Sequence, residues 1–265
     1  MHTLKRTLGP RLLARRVALR SWLRAPALRR HARQESARLA AATEPSARRL
    51  GEAMARVAAD TTDPGLRRTL ELIEAGRRDM LHSDDVVSWS GGREEPVAWI
   101  CARASQPPTG ARMLHHLLTV WQPRKALELG TCVGISGGYQ AAALPSGATL
   151  TTLEGYSGLA RQAEQTWRGA GIGNAEVVVG TFADTLEGVL AQGPWGYAYI
   201  DGHHVGSATL DYVDRIAAVS EPGALLVLDD IDYNDGMRDA WALVQGRDDV
   251  VASATLGKLG LLALR

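Results

Sequence analysis

Leu127-Glu128-Leu129-Gly130-Thr131-Cys132-Val133-Gly134-Ile135-Ser136 is the stretch whose reading decides the fold. A short apolar run, residues 126–129, stops at a glycine, and a second glycine follows four positions later. Such a run closed by glycines reads as a buried strand that turns sharply into a helix. Gly130 and Gly134 let the backbone bend and approach a ligand that a Cβ would keep away. The helix after the turn offers free N–H groups, a seat for a carboxylate. Outward from this turn the pattern repeats. Strands are expected at 126–129, 149–153, 176–179, 197–200 and 224–228, with helices near 137–143, 158–170, 183–190 and 208–219. Strand and helix in alternation, with short connections, predict an α/β, doubly wound, mostly parallel sheet. Residues 250–255 and 260–264 flank Leu256-Gly257-Lys258-Leu259 and predict an antiparallel C-terminal hairpin that closes the sheet edge.

The sequence ahead of this sheet reads differently. Residues 1–82 are expected to form a basic, helical N-terminal extension, leaving 83–265 as the α/β domain. Leu12, Arg16, Leu19 and Leu23 fall on one helical stripe, and Leu66, Leu70, Ile73 and Met80 follow a similar spacing. Asp63-Pro64-Gly65 is a helix start. Residues 88–108 are rich in Gly, Ser and Pro and read as loop, with a helix at 109–120. Residues 1–50 hold 13 Lys and Arg against two Asp and Glu, although the whole chain is only +1. A basic arm on an acidic body is either a solvated helix or a contact for an anionic surface. Only Cys101 and Cys132 are present, which excludes a disulfide scaffold and fits a reducing cytoplasm. No apolar run approaches the roughly 18 residues of a membrane span. Arginines interrupt every apolar stretch of the first 30 residues, so no signal-peptide core is expected.

Sheets of this kind bind ligands at the carboxyl ends of their strands. Glu154 follows the second strand, twenty residues after Gly134, where an acid can accept both hydroxyls of a ribose. A dinucleotide turn needs G-x-G-x-x-G to pass a pyrophosphate. Gly130-x-x-x-Gly134 suits a ligand without phosphates. The fourth strand ends in Asp201-Gly202-His203-His204 and the fifth in Asp229-Asp230. Three carboxylates at one edge repel one another. A divalent cation relieves that repulsion, and oxygen ligands favour Mg²⁺ or Mn²⁺. Helix capping is the competing reading of Asp201 and Asp230. His203 and His204 are candidates to accept a hydroxyl proton near neutral pH.

Glu128-Leu129-Gly130-Thr131 followed by Gly134-Ile135-Ser136 resembles the first motif of class I S-adenosylmethionine-dependent methyltransferases, a Rossmann-like family. It looks most like the small O-methyltransferases of the catechol, caffeoyl-CoA and macrocin type. Pro108-Thr109-Gly110-Ala111-Arg112-Met113-Leu114 resembles the helix before that motif, and Gly180-Thr181-Phe182-Ala183 the segment bordering the adenine. The resemblance spans about 107–241. It implies S-adenosylmethionine as cofactor, with Gly130 and Ser136 on its methionine portion, Glu154 on the ribose, and Gly180, Thr181 and Phe182 at the adenine. Glu128, Thr131, Gly134 and Asp201 belong to the same implied cofactor site. Asp201, Asp229 and Asp230 match the metal-binding pattern, with aspartate at 230 as in the macrocin type. The implied reaction is in-line methyl transfer to a hydroxyl, with Asp201 and a histidine as catalytic groups where relatives use lysine or aspartate. Gly236-Met237-x-x-Ala240-Trp241 resembles a branch acting on sugars or secondary metabolites, including methylated mannose polysaccharides. A saccharide pocket lined by Trp89, Ser90, Trp99 and Arg103 and a homodimer built on the N-terminal helices complete the expectation.

Two other classes stay open. An NAD-dependent oxidoreductase needs the G-x-G-x-x-G turn near its N-terminus, whereas these glycines begin about 130 residues in. A non-catalytic module using the basic arm on nucleic acid or a membrane would tolerate loss of the aspartates but not of the arginines. A methyltransferase acting on nitrogen is disfavoured, because Asp201-Gly202-His203-His204 stands where an Asn/Asp-Pro-Pro-aromatic motif belongs.

Overall fold

The computed structural model describes residues 9–89 and 92–265. Three helices come first: α1 (Pro10–Leu39), α2 (Pro45–Ala59) and α3 (Pro64–Met80). Each has proline in its first turn, where the missing N–H leaves no bond unmade. Asp63 caps α3 by accepting from the Gly65 N–H at 2.7 Å. The stretch read as loop instead holds a hairpin, β1 (Val86–Trp89) and β2 (Arg93–Pro96), and a helix, α4 (Val97–Ala104). Val97, Ile100 and Cys101 in this stretch are apolar enough to be buried. α5 (Pro108–Trp121) then leads into the sheet.

The sheet domain alternates as expected: β3 (Lys125–Leu129), α6 (Ile135–Ala141), β4 (Thr149–Glu154), α7 (Ser157–Gly169), β5 (Ala175–Val179), α8 (Phe182–Leu190), β6 (Trp195–Ile200), α9 (Gly206–Ala217) and β7 (Ser220–Leu228). α10 (Asp235–Gln245), capped by Asn234 on the Met237 N–H at 2.9 Å, precedes β8 (Val250–Leu256) and β9 (Leu259–Leu264). The strand order is β5-β4-β3-β6-β7-β9-β8. β5, β4, β3, β6 and β7 are parallel, and the β8–β9 hairpin adds antiparallel to β7. This is the doubly wound sheet with a C-terminal hairpin.

Both faces are covered, so the strands are apolar on both sides. Leu127, Leu129, Ile200, Leu226 and Leu228 face Leu186, Tyr212, Val213 and Val244 of α8, α9 and α10. Ala126, Tyr197, Leu225 and Val227 face Leu50 and Met54 of α2 and Leu114 and Trp121 of α5. The second helix therefore shares its core with the sheet. The stripe of Leu12, Leu19 and Leu23 turns outward, each more than half exposed. α1 packs instead through Ala25, Ala32 and Leu39, whose small or terminal side chains let it lie close. Among the described residues, no helix is long and apolar enough to cross a membrane.

One ionic node ties the helical layer together. Asp60 ends α2 in a left-handed conformation (φ 49°) that Asp tolerates. Its carboxylate meets Arg29 of α1 at 2.9 Å, and Arg112 and His116 of α5 at 2.8 and 3.1 Å. Burial alone would raise its pKa, but His116, Arg112 and Arg29 hold it below the ordinary 3.8. A carboxylate depressed in this way stabilises the fold above its unfolded pKa and loses that contribution as pH falls through the folded value. Asp60→Asn is expected to lower unfolding free energy at pH 7 by about 1–3 kcal/mol, since the two arginines lose their charged acceptor. Denaturant titrations should show the difference shrinking below pH 3.8.

Candidate active site

Strand order reverses between β3 and β6, so their carboxyl ends splay apart and form the crevice where such sheets take ligands. At its floor Gly130 has φ +102°, and a Cβ there would lie 2.1 Å from the Asp201 carbonyl oxygen. Only glycine fits at that position. Gly134 (φ +79°) has another cause: a Cβ would lie 2.7 Å from Ala163, and Trp167 Nε1 donates to the Gly134 carbonyl at 2.7 Å. That glycine lets α7 pack against the loop. Glu128 is fully buried. Gln140 Nε2 and Thr152 Oγ1 donate to it at 2.6 and 2.8 Å, and the Ser136 hydroxyl bonds it too. Burial, with Asp201 nearby, pushes its carboxyl up to about 7. Thr131 Oγ1 shares a hydrogen bond with Thr152 Oγ1 at 2.8 Å. Glu128, Thr131 and Ser136, expected in the cofactor site, thus form the loop's buried side, because a buried carboxylate needs such donors.

Glu154 ends β4. One oxygen accepts from the Cys132 N–H at 2.8 Å and the other from the Tyr156 N–H at 2.9 Å, which binds the strand end to the β3 loop. Burial raises its pKa against these backbone donors. Beyond β5, Gly180 is left-handed (φ +147°) and Thr181 caps α8, accepting from the Asp184 N–H at 3.3 Å. Phe182 lies 5.2 Å from the His203 ring and 5.6 Å, edge-on, from Tyr212.

The two histidines part company. His203 Nδ1 bonds the Tyr212 hydroxyl at 2.6 Å and belongs to that aromatic group. His204 Nε2 lies 3.3 Å from Asp201 Oδ1 and 3.6 Å from Asp230 Oδ2. The hydrogen bond to Asp201 raises the His204 pKa, burial opposes it, and the carboxylates add to the rise. Cys132, His203, His204 and Asp230 all have φ between 47° and 62°. Of the six non-glycine residues with positive φ among the described residues, these four lie in the loops after β3, β6 and β7.

Asp229 is 1% exposed. Its Oδ2 meets Tyr199 Oη at 2.7 Å, Gln106 Nε2 and Lys258 Nζ at 3.1 Å, while its Oδ1 accepts the Asp230 N–H at 2.8 Å. Tyr199 Oη is also 3.0 Å from Asp201 Oδ2. Lys258, at the tip of the β8–β9 hairpin, reaches Asp230 Oδ1 at 3.0 Å as well. Burial works against its charge, but Asp229, Asp230 and Asp201 outweigh that and hold the ammonium above the ordinary lysine range. Burial and Asp201 push Asp229 up to about 7. The expected Mg²⁺ or Mn²⁺ does not fit this arrangement. Among the described residues, no three His, Cys, Asp or Glu side chains are placed to hold a metal ion. A lysine nitrogen stands between the carboxylates instead. Gln106, Tyr199 and Lys258 were missed by sequence reading. The one available signal was that Lys258 is among only three lysines in a chain with 30 Lys and Arg.

Of the four residues named for a saccharide pocket, only Trp99 and Arg103 have described side chains. Ser90 and the Trp89 side chain lie outside the described residues. Trp99 is half-buried on α4, and Arg103 pairs with Glu95 of β2. Tyr233, 67% exposed with its ring 5.4 Å from His204, and Val205 are exposed apolar groups in the loops after β7 and β6. A recess of about 400 Å³ between α3 and α7 has no lining residue in the loops after β3, β4, β6 or β7.

Residues 127–231 match the family model described as a methyltransferase domain. Comparison with curated protein sequences gives no match. Among solved structures, an O-methyltransferase from Bacillus cereus in complex with SAH is similar at 19% identity and TM-score 0.55, covering 77% of this chain and 91% of that one. The O-methyltransferase TomG from Streptomyces achromogenes, involved in tomaymycin synthesis and in complex with SAM, is similar at 24% and 0.54, covering 77% and 90%. SAH-bound methyltransferase PaMTH1 from Podospora anserina is similar at 13% and 0.57, covering 75% and 88%. At such identities the likeness is one of fold, and that fold is the Rossmann-like methyltransferase sheet.

The close approach at the crevice floor has a measurable consequence. Gly147 also has positive φ (+75°), but a Cβ added there would meet nothing within 4 Å. Gly147→Ala should cost about 1–2 kcal/mol for its backbone conformation alone. Gly130→Ala should cost about 1–3 kcal/mol more, because the Asp201 backbone must also move. Urea unfolding of the two variants compares them directly.

Proposed function

We propose that the chain is an S-adenosylmethionine-dependent O-methyltransferase acting on a hydroxyl of a small molecule, a saccharide or secondary metabolite, with His204 as base. The observation that carries this is the convergence, inside the matched stretch 127–231, of an acid at the end of β4 with a histidine–carboxylate pair at the end of β6. The donor set suits the cofactor. The Glu154 oxygens accept backbone N–H groups and keep lone pairs for ribose hydroxyls, and the glycine spacing leaves no pyrophosphate turn. Thr181 and Phe182 would border the adenine, and Gly130 the methionine end. When bound, S-adenosylmethionine supplies an electrophilic methyl group on a sulfonium.

The chain's own residues do the rest. Asp201 accepts from His204 Nε2–H, which leaves the lone pair on Nδ1 to receive the hydroxyl proton. Asp201 also holds the ring in place, and alignment of this kind is worth several kcal/mol in favourable cases, up to about 7–11. The exposed Tyr233 ring beside His204 offers a face on which a sugar can lie. His203, held by Tyr212 and Phe182, shapes the wall and does not take the proton.

Transfer of labelled methyl from S-adenosylmethionine to a panel of hydroxylated acceptors tests the proposal. His204→Ala should lower the rate about 10²–10⁴-fold, and His203→Ala far less. Full activity in His204→Ala, or no transfer to any acceptor, contradicts the reading. The neutral imidazole is the working form. Asp201 raises the His204 pKa, so the rate should climb with pH through a midpoint above 6.5, and Asp201→Asn should move that midpoint down.

A further inference from the structure

We propose that Lys258 is the cation of this site: its ammonium stands among Asp201, Asp229 and Asp230 where a divalent metal would otherwise sit, so the site works without metal and accepts substrates presenting a single hydroxyl. The inference rests on the methyltransferase reading for the second half of that statement and on geometry alone for the first.

Three carboxylates gathered at one sheet edge need positive charge. The chain supplies it. Nζ is 3.1 Å from Asp229 Oδ2 and 3.0 Å from Asp230 Oδ1, so one nitrogen bridges both residues of the acidic pair. The placement follows from topology. β9 runs antiparallel to β7 with Gly260 opposite Leu228, which puts the hairpin tip at the carboxyl edge of the sheet. The left-handed Gly257 turns the chain there (φ +65°), and the Ile231 N–H donates to the Lys258 carbonyl at 3.2 Å, fixing the backbone beside the acidic pair.

A metal ion would have to undo this. Mg²⁺ demands near-octahedral oxygen ligands at about 2.0–2.1 Å. Both Asp229 oxygens are already engaged, Oδ1 by the Asp230 N–H and Oδ2 by Tyr199, Gln106 and Lys258. Entry of a dication would strip two ion pairs from Lys258 and leave two like charges side by side.

The substitution changes what the site can recognise. A dication chelates and so favours two adjacent acceptor oxygens. An ammonium is a point charge with three donors. Two are taken by Asp229 and Asp230. The side chain is 41% exposed, which leaves the third able to reach one acceptor oxygen. Asp230 links this group to the base, since its other oxygen faces His204 Nε2 at 3.6 Å. One hydroxyl held by Lys258 and deprotonated by His204 is then sufficient. Its oxygen forms the new C–O bond as the S–C bond breaks, and the sulfonium leaves as a thioether.

Mn²⁺ titration of the full chain, followed by electron paramagnetic resonance, decides the first half without any activity. The wild-type chain should show no saturable binding up to about 1 mM, the weak end of protein sites for hard cations. Lys258→Met, which keeps the packed stem and removes the charge, should gain a Mn²⁺ site at least tenfold tighter, lost again when Asp229→Asn is added. Saturable micromolar binding to the wild-type chain, abolished by Asp229→Asn, overturns the proposal and requires no Lys258 variant to fold. The same samples are titrated with S-adenosylhomocysteine. If it fails to bind, the methyltransferase reading falls while the Mn²⁺ result still decides the role of Lys258. If it binds, methyl transfer should be unchanged by EDTA and should proceed on a monohydroxylated acceptor. Loss on EDTA with recovery on Mn²⁺, or transfer to vicinal diols alone, overturns the proposal and leaves the methyltransferase reading standing.

Discussion

Asp229 holds its carboxyl group almost wholly out of water, and a polar group buried in this way must be met by hydrogen-bond partners. The donors arrive from four parts of the chain. Tyr199 comes from β6, Lys258 from the β8–β9 turn, Gln106 from the segment before α5, and one N–H from the adjacent Asp230. Meeting this one carboxylate therefore fixes the last strand pair, the central strand and the helical layer relative to the crevice. Asp201 joins through Tyr199, and His204 joins through Asp201. The chemistry proposed for the edge is a by-product of solving a solvation problem inside the sheet.

Neighbouring histidines on one loop end up in different environments because the backbone after β6 is left-handed at both (φ 62° and 47°). One is drawn into an aromatic group with Phe182 and Tyr212, and the other into the carboxylates. Backbone strain of this kind, about 1–3 kcal/mol per residue, is kept only where surrounding contacts over-determine it. The fused packing of α9 and β6 supplies those contacts through Tyr212 and Val213.

Much of the fold was legible because the parallel strands are short, apolar and punctuated by glycine. The stretch from Leu127 to Ser136 announced the crevice, and Asp201, Asp229 and Glu154 all lie at the carboxyl edge as read. The individual roles were less visible. Glu128 and Ser136 look like ligand-facing residues in a linear motif, yet burial assigns them to each other. Residues 88–108 hid a hairpin and a helix because their Gly, Ser and Pro content outweighed the short apolar run at 97–102. Lys258 was hidden by distance. It lies 29 residues beyond Asp229, and only the antiparallel register of β9 on β7 brings the two together. A leucine stripe on α1 has the right period for a core face, but the helix packs through alanines instead.

Calorimetric titration of the wild-type chain and of Glu154→Ala with S-adenosylhomocysteine, and with NAD in parallel, bears most directly on the claim that the crevice between β3 and β6 is a nucleoside site for a phosphate-free cofactor. The account predicts one saturable site for S-adenosylhomocysteine, none for NAD, and affinity weakened about tenfold to a hundredfold in Glu154→Ala, the worth of hydrogen bonds to a charged acceptor. Saturable binding of NAD with none of S-adenosylhomocysteine would contradict it.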